Sequence, residues 1–160
     1  MTETPYDRLE ALGLTLPPIR AAAGAYVPAR RAGALLFLSG RGGSGPDGTV
    51  ATGQVGSDAV TPEEAHEHAR SAGLQLLAAA HAELGDLGRI EAVVKLLGMV
   101  NAVPGFKGHP GVIDGCSTLF ADVLGPAGVH ARSAVGVASL PHDMSVEIEA
   151  ILLVSPQSSK

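Results

Sequence analysis

The longest regular pattern in this sequence is one helix with a recognisable signal at each end. Thr61 can act as the N-cap, Pro62 suits the first helical position, and Glu64 completes a capping box. Gly85 is typical of the residue that ends a helix. Small and apolar side chains recur between these ends at helical spacing, namely Ala65, Ala69, Ala72, Leu76, Ala80 and Leu84. This narrow stripe predicts a helix that packs closely on a sheet.

Strand patterns lie on both sides of this helix. Residues 25–29 form a short candidate that contains Pro28, which favours a sheet edge or a bulge. Residues 34–38 are a continuous apolar run, typical of a strand that is buried on both faces. The later strand candidates are residues 90–97, 133–138 and 146–154.

A second helix is predicted over residues 112–124, where apolar side chains again recur at helical spacing. It would end at Gly125, which Pro126 follows. Clusters of glycine and proline between the regular segments predict loops or irregular hairpins over residues 39–43, 42–56 and 101–110.

The chain length and the boundaries of these segments indicate one domain. A chain of 160 residues is long enough to bury a core of its own. Thr4 and Pro5 resemble the start of a short helix, within an N-terminal extension over residues 1–20. We expect the main domain over residues 21–155 and a C-terminal tail over residues 156–160.

The order β-β-α-β-α-β-β predicts an α+β fold. We expect about six strands in a mixed sheet, with two long helices packed on one face. The other face of such a sheet must also be hidden from water. Because association of subunits is the usual way to do this, we expect an oligomer.

The charge balance disfavours a protein that binds nucleic acid. The chain has 11 Lys and Arg against 16 Asp and Glu, and Arg30-Arg31 is its only adjacent basic pair. Two Tyr, three Phe and no Trp are too few to build a stacking surface for bases. A local basic patch on an assembled oligomer stays open as an alternative.

The cysteine and histidine content predicts neither a disulfide nor a metal site. Cys116 is the only cysteine and lies on the apolar stripe of the second helix, so we expect a buried, unreactive thiol. A lone cysteine fits a reducing, cytoplasmic compartment. His66 and His68 are two residues apart on a helix and point to different faces. The longest uncharged stretch, residues 71–82, is too short to span a membrane.

The C-terminal third carries a pattern that resembles a known family. Arg132 opens a strand with alternating valines, Leu140 and Pro141 precede a turn, and residues 146–149 are Val-Glu-Ile-Glu. Earlier segments match in the same order, namely Gly24-Ala25-Tyr26, Leu38-Ser39-Gly40 and Gly53-Gln54. Over about residues 20–154 the chain resembles the Rid family, also called the YjgF or reactive-intermediate deaminase family, and within it a subgroup of longer chains.

The resemblance implies a chorismate-mutase-like subunit that forms a homotrimer with ligand sites between subunits. It implies hydrolysis of reactive 2-imino or enamino acids to 2-keto acids and ammonia. In such a site Arg132 would bind the substrate carboxylate and Glu147 would position the attacking water, with no metal or organic cofactor. Tyr26 and the backbone around Ser39 and Gly40 would line the cleft.

The chain departs from the family pattern at two relevant positions. Asp114 stands where the archetypal deaminases have an Asn that faces the cleft, and a carboxylate there would disfavour a second negative charge on the ligand. Ala134 stands where many members have a cysteine. His109 and His130 flank the elements expected beside the ligand, although histidines in surface loops usually have no such role.

Each candidate residue also has an ordinary structural explanation. Arg132 can be a surface ion-pair partner, and Glu147 and Glu149 share one face that can simply be exposed to solvent. Tyr26 can fill a subunit interface, and Gly40 can serve a tight turn. Three functions therefore stay open: an imine deaminase, a non-catalytic trimer that binds a keto or amino acid, and an endoribonuclease. The acidic balance and three lysines make the endoribonuclease the weakest of these.

Overall fold

A five-stranded mixed sheet organises the computed structural model, which describes residues 3–19, 21–22 and 24–156. The strands are β1 (Ala29–Ala32), β2 (Leu35–Gly42), β3 (Ile90–Asn101), β4 (Ala131–Val137) and β5 (Val146–Val154). Their order across the sheet is β1-β2-β5-β3-β4. β3 and β4 run parallel, while every other neighbouring pair runs antiparallel. The predicted α+β fold with a mixed sheet is confirmed, with five strands in the sheet instead of about six.

Three α-helices accompany the sheet: α1 (Pro5–Ala11), α2 (Pro62–Leu84) and α3 (His109–Leu124). α2 contacts β2 and β5, and α3 contacts β3 and β4. The capping box predicted at Thr61 is present, since the Glu64 N–H donates to its hydroxyl and the Glu64 carboxylate accepts from its N–H. Gly85 ends α2 in the left-handed conformation, with a φ of 76°. The stripe of small residues on α2 is buried in the core, as predicted.

The first strand begins later than predicted. Residues 25–28 are not part of it, because Pro28 has no N–H with which to continue a β-ladder, and regular pairing starts at Ala29. The preceding segment is still fastened to the sheet. The Pro28 carbonyl accepts from the Ser39 N–H over 3.0 Å, and the Val27 carbonyl accepts from the Ser39 hydroxyl over 2.6 Å.

The second strand continues through the glycine-rich stretch that was predicted to be a loop. β5 pairs with Arg41 and Gly42 and so extends β2 by four residues beyond Leu38. A register shift between Leu38 and Arg41 places a β-bulge there, and Gly40 lies within it. β3 likewise continues to Asn101, and α3 starts three residues before the predicted position.

Glycines let α3 approach the sheet and α2 closely. A Cβ added to Gly98 of β3 would lie 2.5 Å from both Cγ1 and Cδ1 of Ile113. A Cβ added to Gly73 of α2 would lie 3.0 Å from the Cys116 sulfur on α3. The two helices therefore pack against each other as well as on the sheet, a contact that the sequence patterns did not predict.

The opposite face of the sheet is more exposed in the single chain. Leu36 and Ile148 are fully buried, whereas Phe37 and Val135 expose 41% and 42% of their surface. Large apolar side chains exposed on a sheet face are typical of surfaces that bind another chain. The expected oligomer would associate through such a face, and both the oligomer and its trimeric form stay predictions.

The predicted domain boundaries remain predictions. α1 lies within the expected N-terminal extension, yet its Leu9 is part of the hydrophobic core. Residues 157–160 of the predicted tail lie outside the described residues. Among the residues that the structure does describe, no helix has the length and apolar character needed to cross a bilayer.

Replacing Gly98 by alanine will destabilise the protein. The new methyl group overlaps the body of the Ile113 side chain rather than a flexible tip, so Gly98→Ala is expected to cost about 1–3 kcal/mol in the free energy of unfolding. Urea denaturation measures this cost. Gly111→Ala in α3 is the control, because its new methyl group enters open space and should stabilise the helix by roughly 0.5–1 kcal/mol. Equal effects of the two substitutions would contradict the close packing of α3.

Candidate functional site

A cavity of about 580 Å³ opens where β2 extends beyond β1. Its volume lies within the range of small-molecule sites. Residues of β2, β5, the segment before β1, α2 and the turn before β5 form its walls. The polar side chains among them are Tyr26, Ser39, Arg41, Gln75, His142, Glu147 and Glu149.

Four residues predicted for the site meet in this cavity: Tyr26, Ser39, Gly40 and Glu147. The Glu147 side chain lies directly over Gly40, since a Cβ added there would overlap a carboxylate oxygen and lie 2.9 Å from the carboxyl carbon. Glycine at position 40 therefore makes room for this carboxylate. The Ser39 hydroxyl is used structurally, because it donates to Val27 next to the half-exposed Tyr26.

The environment of Glu147 favours its protonated form. Its carboxyl group is partly buried in the cavity wall, and this burial raises its pKa above the ordinary value. The negative charge of Glu149, two residues along β5, raises the pKa further. A partly buried carboxyl group with a raised pKa is a suitable proton acceptor near neutral pH.

Arg132 and Asp114 lie outside the residues that line this cavity and form a pair of their own. Arg132 is on the edge strand β4, and its Nη1 donates to Asp114 Oδ1 over 2.6 Å. The same nitrogen donates to the hydroxyl of Ser117, one turn further along α3, over 3.1 Å. Within one chain the predicted ligand residues thus form two groups, one in the cavity and one at the β4–α3 contact.

The geometry of these two bonds leaves part of the Arg132 side chain for a ligand. Both bonds use Nη1. Within the described part of the chain, Nε and Nη2 of Arg132 have no hydrogen-bond partner. The edge formed by Nε and Nη2 carries two parallel N–H groups, which match the two oxygens of a carboxylate. Because Asp114 is paired with Arg132, the structure gives it a role in holding the guanidinium.

Two buried polar side chains in the cavity were not predicted. Arg41 exposes 8% and Gln75 exposes 7% of its surface. Arg41 lies opposite Ile148, a fully buried residue of β5, so it takes a core-facing position on β2. The bulge in β2 turns the Arg41 side chain to the core side of the sheet. The sequence predicts a loop over residues 39–43, so it contains no signal for the buried position of Arg41.

The turn that precedes β5 also contributes an unpredicted residue. His142 lines the cavity, and both His142 and Asp143 have left-handed backbone conformations, with φ values of 54° and 56°. Such conformations are uncommon for residues other than glycine and need support from their surroundings. Asn101 Nδ2 donates to the Asp143 carboxylate over 3.1 Å, and the Gly53 N–H donates to its carbonyl over 2.8 Å.

The remaining cysteine and histidine candidates have structural partners. Cys116 is fully buried, as predicted, and burial raises the pKa of its thiol, which keeps it protonated and unreactive. His66 bonds to the Gly111 carbonyl, and His68 bonds to the Ser145 hydroxyl. The His109 ring packs edge-on against Phe106. No group of three His, Cys, Asp or Glu side chains among the described residues is arranged to hold a metal ion.

Comparison with known proteins supports the fold and the motif assignment. Residues 6–149 match the family described as "YjgF/chorismate mutase-like, putative endoribonuclease". Protein TCP17 of Trypanosoma cruzi is 40% identical over 145 residues, which cover 90% of each chain.

Two solved structures have closely similar folds. A protein of unknown function from Agrobacterium tumefaciens is 43% identical, with a TM-score of 0.85 over 95% of this chain and 94% of that one. A "putative endoribonuclease" from Shewanella oneidensis is 32% identical, with a TM-score of 0.89 over 94% of this chain and 99% of that one. The chain therefore belongs to the YjgF/chorismate-mutase-like family, as its C-terminal pattern predicted.

Proposed function

We propose that this protein hydrolyses the C=N bond of small 2-imino acids and releases a 2-keto acid and ammonia. The observation that carries this proposal is the carboxylate of Glu147, which lies over Gly40 in a cavity of small-molecule size and has a raised pKa. A base in such a position can activate one water molecule beside a bound electrophile. No metal or organic cofactor is needed for this chemistry.

Arg132 is the proposed anchor for the substrate carboxylate. Asp114 and Ser117 hold its Nη1, so the Nε and Nη2 edge is presented as a fixed fork. Fixing the carboxylate also fixes the adjacent imine carbon, and this orientation lowers the entropic part of the barrier.

We propose that Arg132 of one subunit faces the cavity of a neighbouring subunit in a homotrimer. Arg132 does not line the cavity of its own chain, so a site that contains both Arg132 and Glu147 needs a second copy. The exposed apolar side chains Phe37 and Val135 support an association through the open face of the sheet.

The reaction balances with Glu147 as the only proton carrier. As the water oxygen attacks the iminium carbon, Glu147 accepts a water proton and the C=N π electrons move to nitrogen, which gives a carbinolamine. Glu147 then returns the proton to the amine nitrogen. The C–N bond breaks as the hydroxyl oxygen forms the new C=O bond, and Glu147 accepts the hydroxyl proton. The released ammonia takes this proton from Glu147 and leaves as ammonium, which restores the carboxylate.

Two other functions remain as alternatives. A non-catalytic trimer that binds a keto or amino acid would use Arg132 without needing Glu147. The family description and the Shewanella relative carry the name endoribonuclease, but Glu147 and Glu149 both line the cavity. These carboxylates and the net charge of −5 would repel a phosphodiester chain, so we favour a small monoanionic substrate.

Replacing Arg132 by lysine will weaken substrate use although the positive charge remains. Lysine offers a point charge in place of the two-pronged fork, so Arg132→Lys is expected to lower kcat/KM for 2-iminobutanoate by roughly 10- to 100-fold. Release of ammonia from freshly generated imine measures this. Arg8→Lys, on α1 and outside the residues that line the cavity, is the control and should be as active as the parent. Equal activity of the Arg132 variant and the parent would contradict the anchor.

Replacing Glu147 by glutamine will abolish turnover but leave binding intact. The amide keeps the shape of the side chain and cannot accept a proton, so kcat is expected to fall by about 10²- to 10⁴-fold. Calorimetric titration with 2-oxobutanoate should give an unchanged dissociation constant. If the parent protein binds 2-oxobutanoate but does not hydrolyse the imine faster than buffer alone does, the protein is a binding module instead.

The acidic limb of the pH–rate profile will report the pKa of Glu147. The base must be deprotonated, so activity rises as pH increases through a value above the ordinary range of a glutamate. In Glu149→Gln the neighbouring negative charge is removed, the pKa of Glu147 falls, and the limb moves to lower pH. Glu91→Gln, at an exposed position on β3, is the control. A limb that does not move in the Glu149 variant would exclude Glu147 as the titrating base.

A further inference from the structure

A chain of hydrogen bonds continues from Arg132 into the protein. Arg132 Nη1 donates to Ser117 Oγ over 3.1 Å, and Ser117 Oγ lies 3.0 Å from His130 Nε2. The other ring nitrogen of His130, Nδ1, lies 2.6 Å from the Gly128 carbonyl oxygen. The chain thus joins the proposed anchor to a histidine two residues before it on the sequence.

The chemistry of these groups fixes the direction of the bonds at the two ends of this chain, and the direction of the middle bond follows when the His130 ring is neutral. A carbonyl oxygen only accepts, so His130 Nδ1 carries a proton and donates it to Gly128. In the neutral ring Nε2 is then an acceptor, and the Ser117 hydroxyl donates to it. Ser117 Oγ in turn keeps lone pairs for Arg132, which can only donate. The sequence of donors and acceptors is complete with one tautomer of neutral His130.

The two partners of Nη1 together define the plane of the Arg132 guanidinium. Asp114 accepts one of its N–H groups, and Ser117 accepts the other. The Asp114 side chain is about half exposed, with a relative exposure of 52%, so it is the less constrained of the two partners. Ser117 is more constrained because its Oγ is also within hydrogen-bond distance of His130 Nε2, and the His130 ring packs edge-on against Phe120.

We propose that His130 is a positioning residue for ligand binding. By accepting the Ser117 hydroxyl hydrogen, it orients the oxygen that holds Arg132 and so fixes the Nε and Nη2 edge for a substrate carboxylate. This inference rests on the proposed role of Arg132. It predicts that the acceptor at the position of Nε2, rather than the imidazole ring as such, determines the affinity for a carboxylate.

Two substitutions separate the two bonds of His130. His130→Asn keeps a donor for the Gly128 carbonyl and removes the acceptor for Ser117, while His130→Gln keeps an acceptor at the distance of Nε2. Calorimetric titration with 2-oxobutanoate is expected to show a dissociation constant roughly 3- to 10-fold higher for the Asn variant, the value of one neutral hydrogen bond. The Gln variant should stay within about twofold of the parent. Steady-state kinetics should show the change in KM and not in kcat.

A double-mutant cycle tests the path through Ser117. Ser117→Ala should weaken binding about as much as His130→Asn, and in the Ser117→Ala background His130→Asn should have no further effect. Ser71→Ala is the matched control, since Ser71 lies on α2 and its hydroxyl accepts from the Ser44 N–H instead. Thermal unfolding midpoints of all variants show whether each one folds as the parent does.

The possible results separate this inference from the proposed function. The positioning role of His130 alone is overturned if His130→Asn binds 2-oxobutanoate as tightly as the parent. It is also overturned if His130→Asn weakens binding equally in the parent and in the Ser117→Ala variant. If Arg132→Ala binds 2-oxobutanoate as tightly as the parent, the anchor and the positioning role both fail. Both the anchor and the positioning role are supported if affinity for 2-oxobutanoate is lost in Arg132→Ala, His130→Asn and Ser117→Ala but retained in His130→Gln. If His130→Asn does not fold, His130→Leu, which also lacks the acceptor at the position of Nε2, replaces it, and parental affinity in that variant overturns the positioning role.

Discussion

The pairing of β2 with β5 is the constraint on which the cavity depends. Leu38 lies opposite Ala150 and Arg41 lies opposite Ile148, so β2 carries one residue more than β5 between these pairs. This bulge keeps the strand paired through its glycines and turns Arg41 to the core side. It also leaves Gly40 beneath the Glu147 carboxylate, where any side chain would collide with it. One irregularity in a strand therefore supplies both the floor of the cavity and the space for the Glu147 carboxylate.

The part of the proposed site that contains Arg132 depends on the packing of α3. Gly98 lets α3 approach the sheet, and α3 carries both Asp114 and Ser117 to the edge strand that holds Arg132. The core thus positions the proposed anchor, Arg132, through contacts that lie away from the cavity. A subunit built in this way carries Arg132 on the edge strand β4 and Glu147 on the central strand β5, and only Glu147 lines the cavity. This separation suits the proposed ligand site shared between copies.

The sequence predicts those features that depend on local chemistry. Thr61 and Gly85 mark the ends of α2 because capping and the left-handed terminus are decided within a few residues. The alternation over residues 146–154 likewise predicts β5 in full. By contrast, the extension of β2 is decided by its pairing with a strand more than one hundred residues later in the chain. The buried position of Arg41 follows from that pairing, so local patterns could not predict it.

In the candidate site, too, the sequence predicts some features, and others depend on how distant segments pack. The family motif selected Tyr26, Ser39, Gly40 and Glu147, and the fold brings these four together. The spacing of Asp114 and Ser117 places both on one helix face, but only the packing of α3 against β4 shows that both hold Arg132. Because a single chain keeps Arg132 apart from the cavity, its relation to Glu147 depends on how subunits assemble.

A subunit-mixing experiment tests this central claim most directly. Arg132→Ala and Glu147→Gln are each expected to be inactive, and oligomers that contain both variants form intact sites where a subunit with Arg132 meets one with Glu147. With random mixing at equal amounts, about one quarter of the sites are intact, so about one quarter of the parent's imine hydrolysis should return. Native mass spectrometry confirms that the oligomers are mixed. If mixed oligomers form and no activity returns, Arg132 and Glu147 do not act in one site shared between subunits.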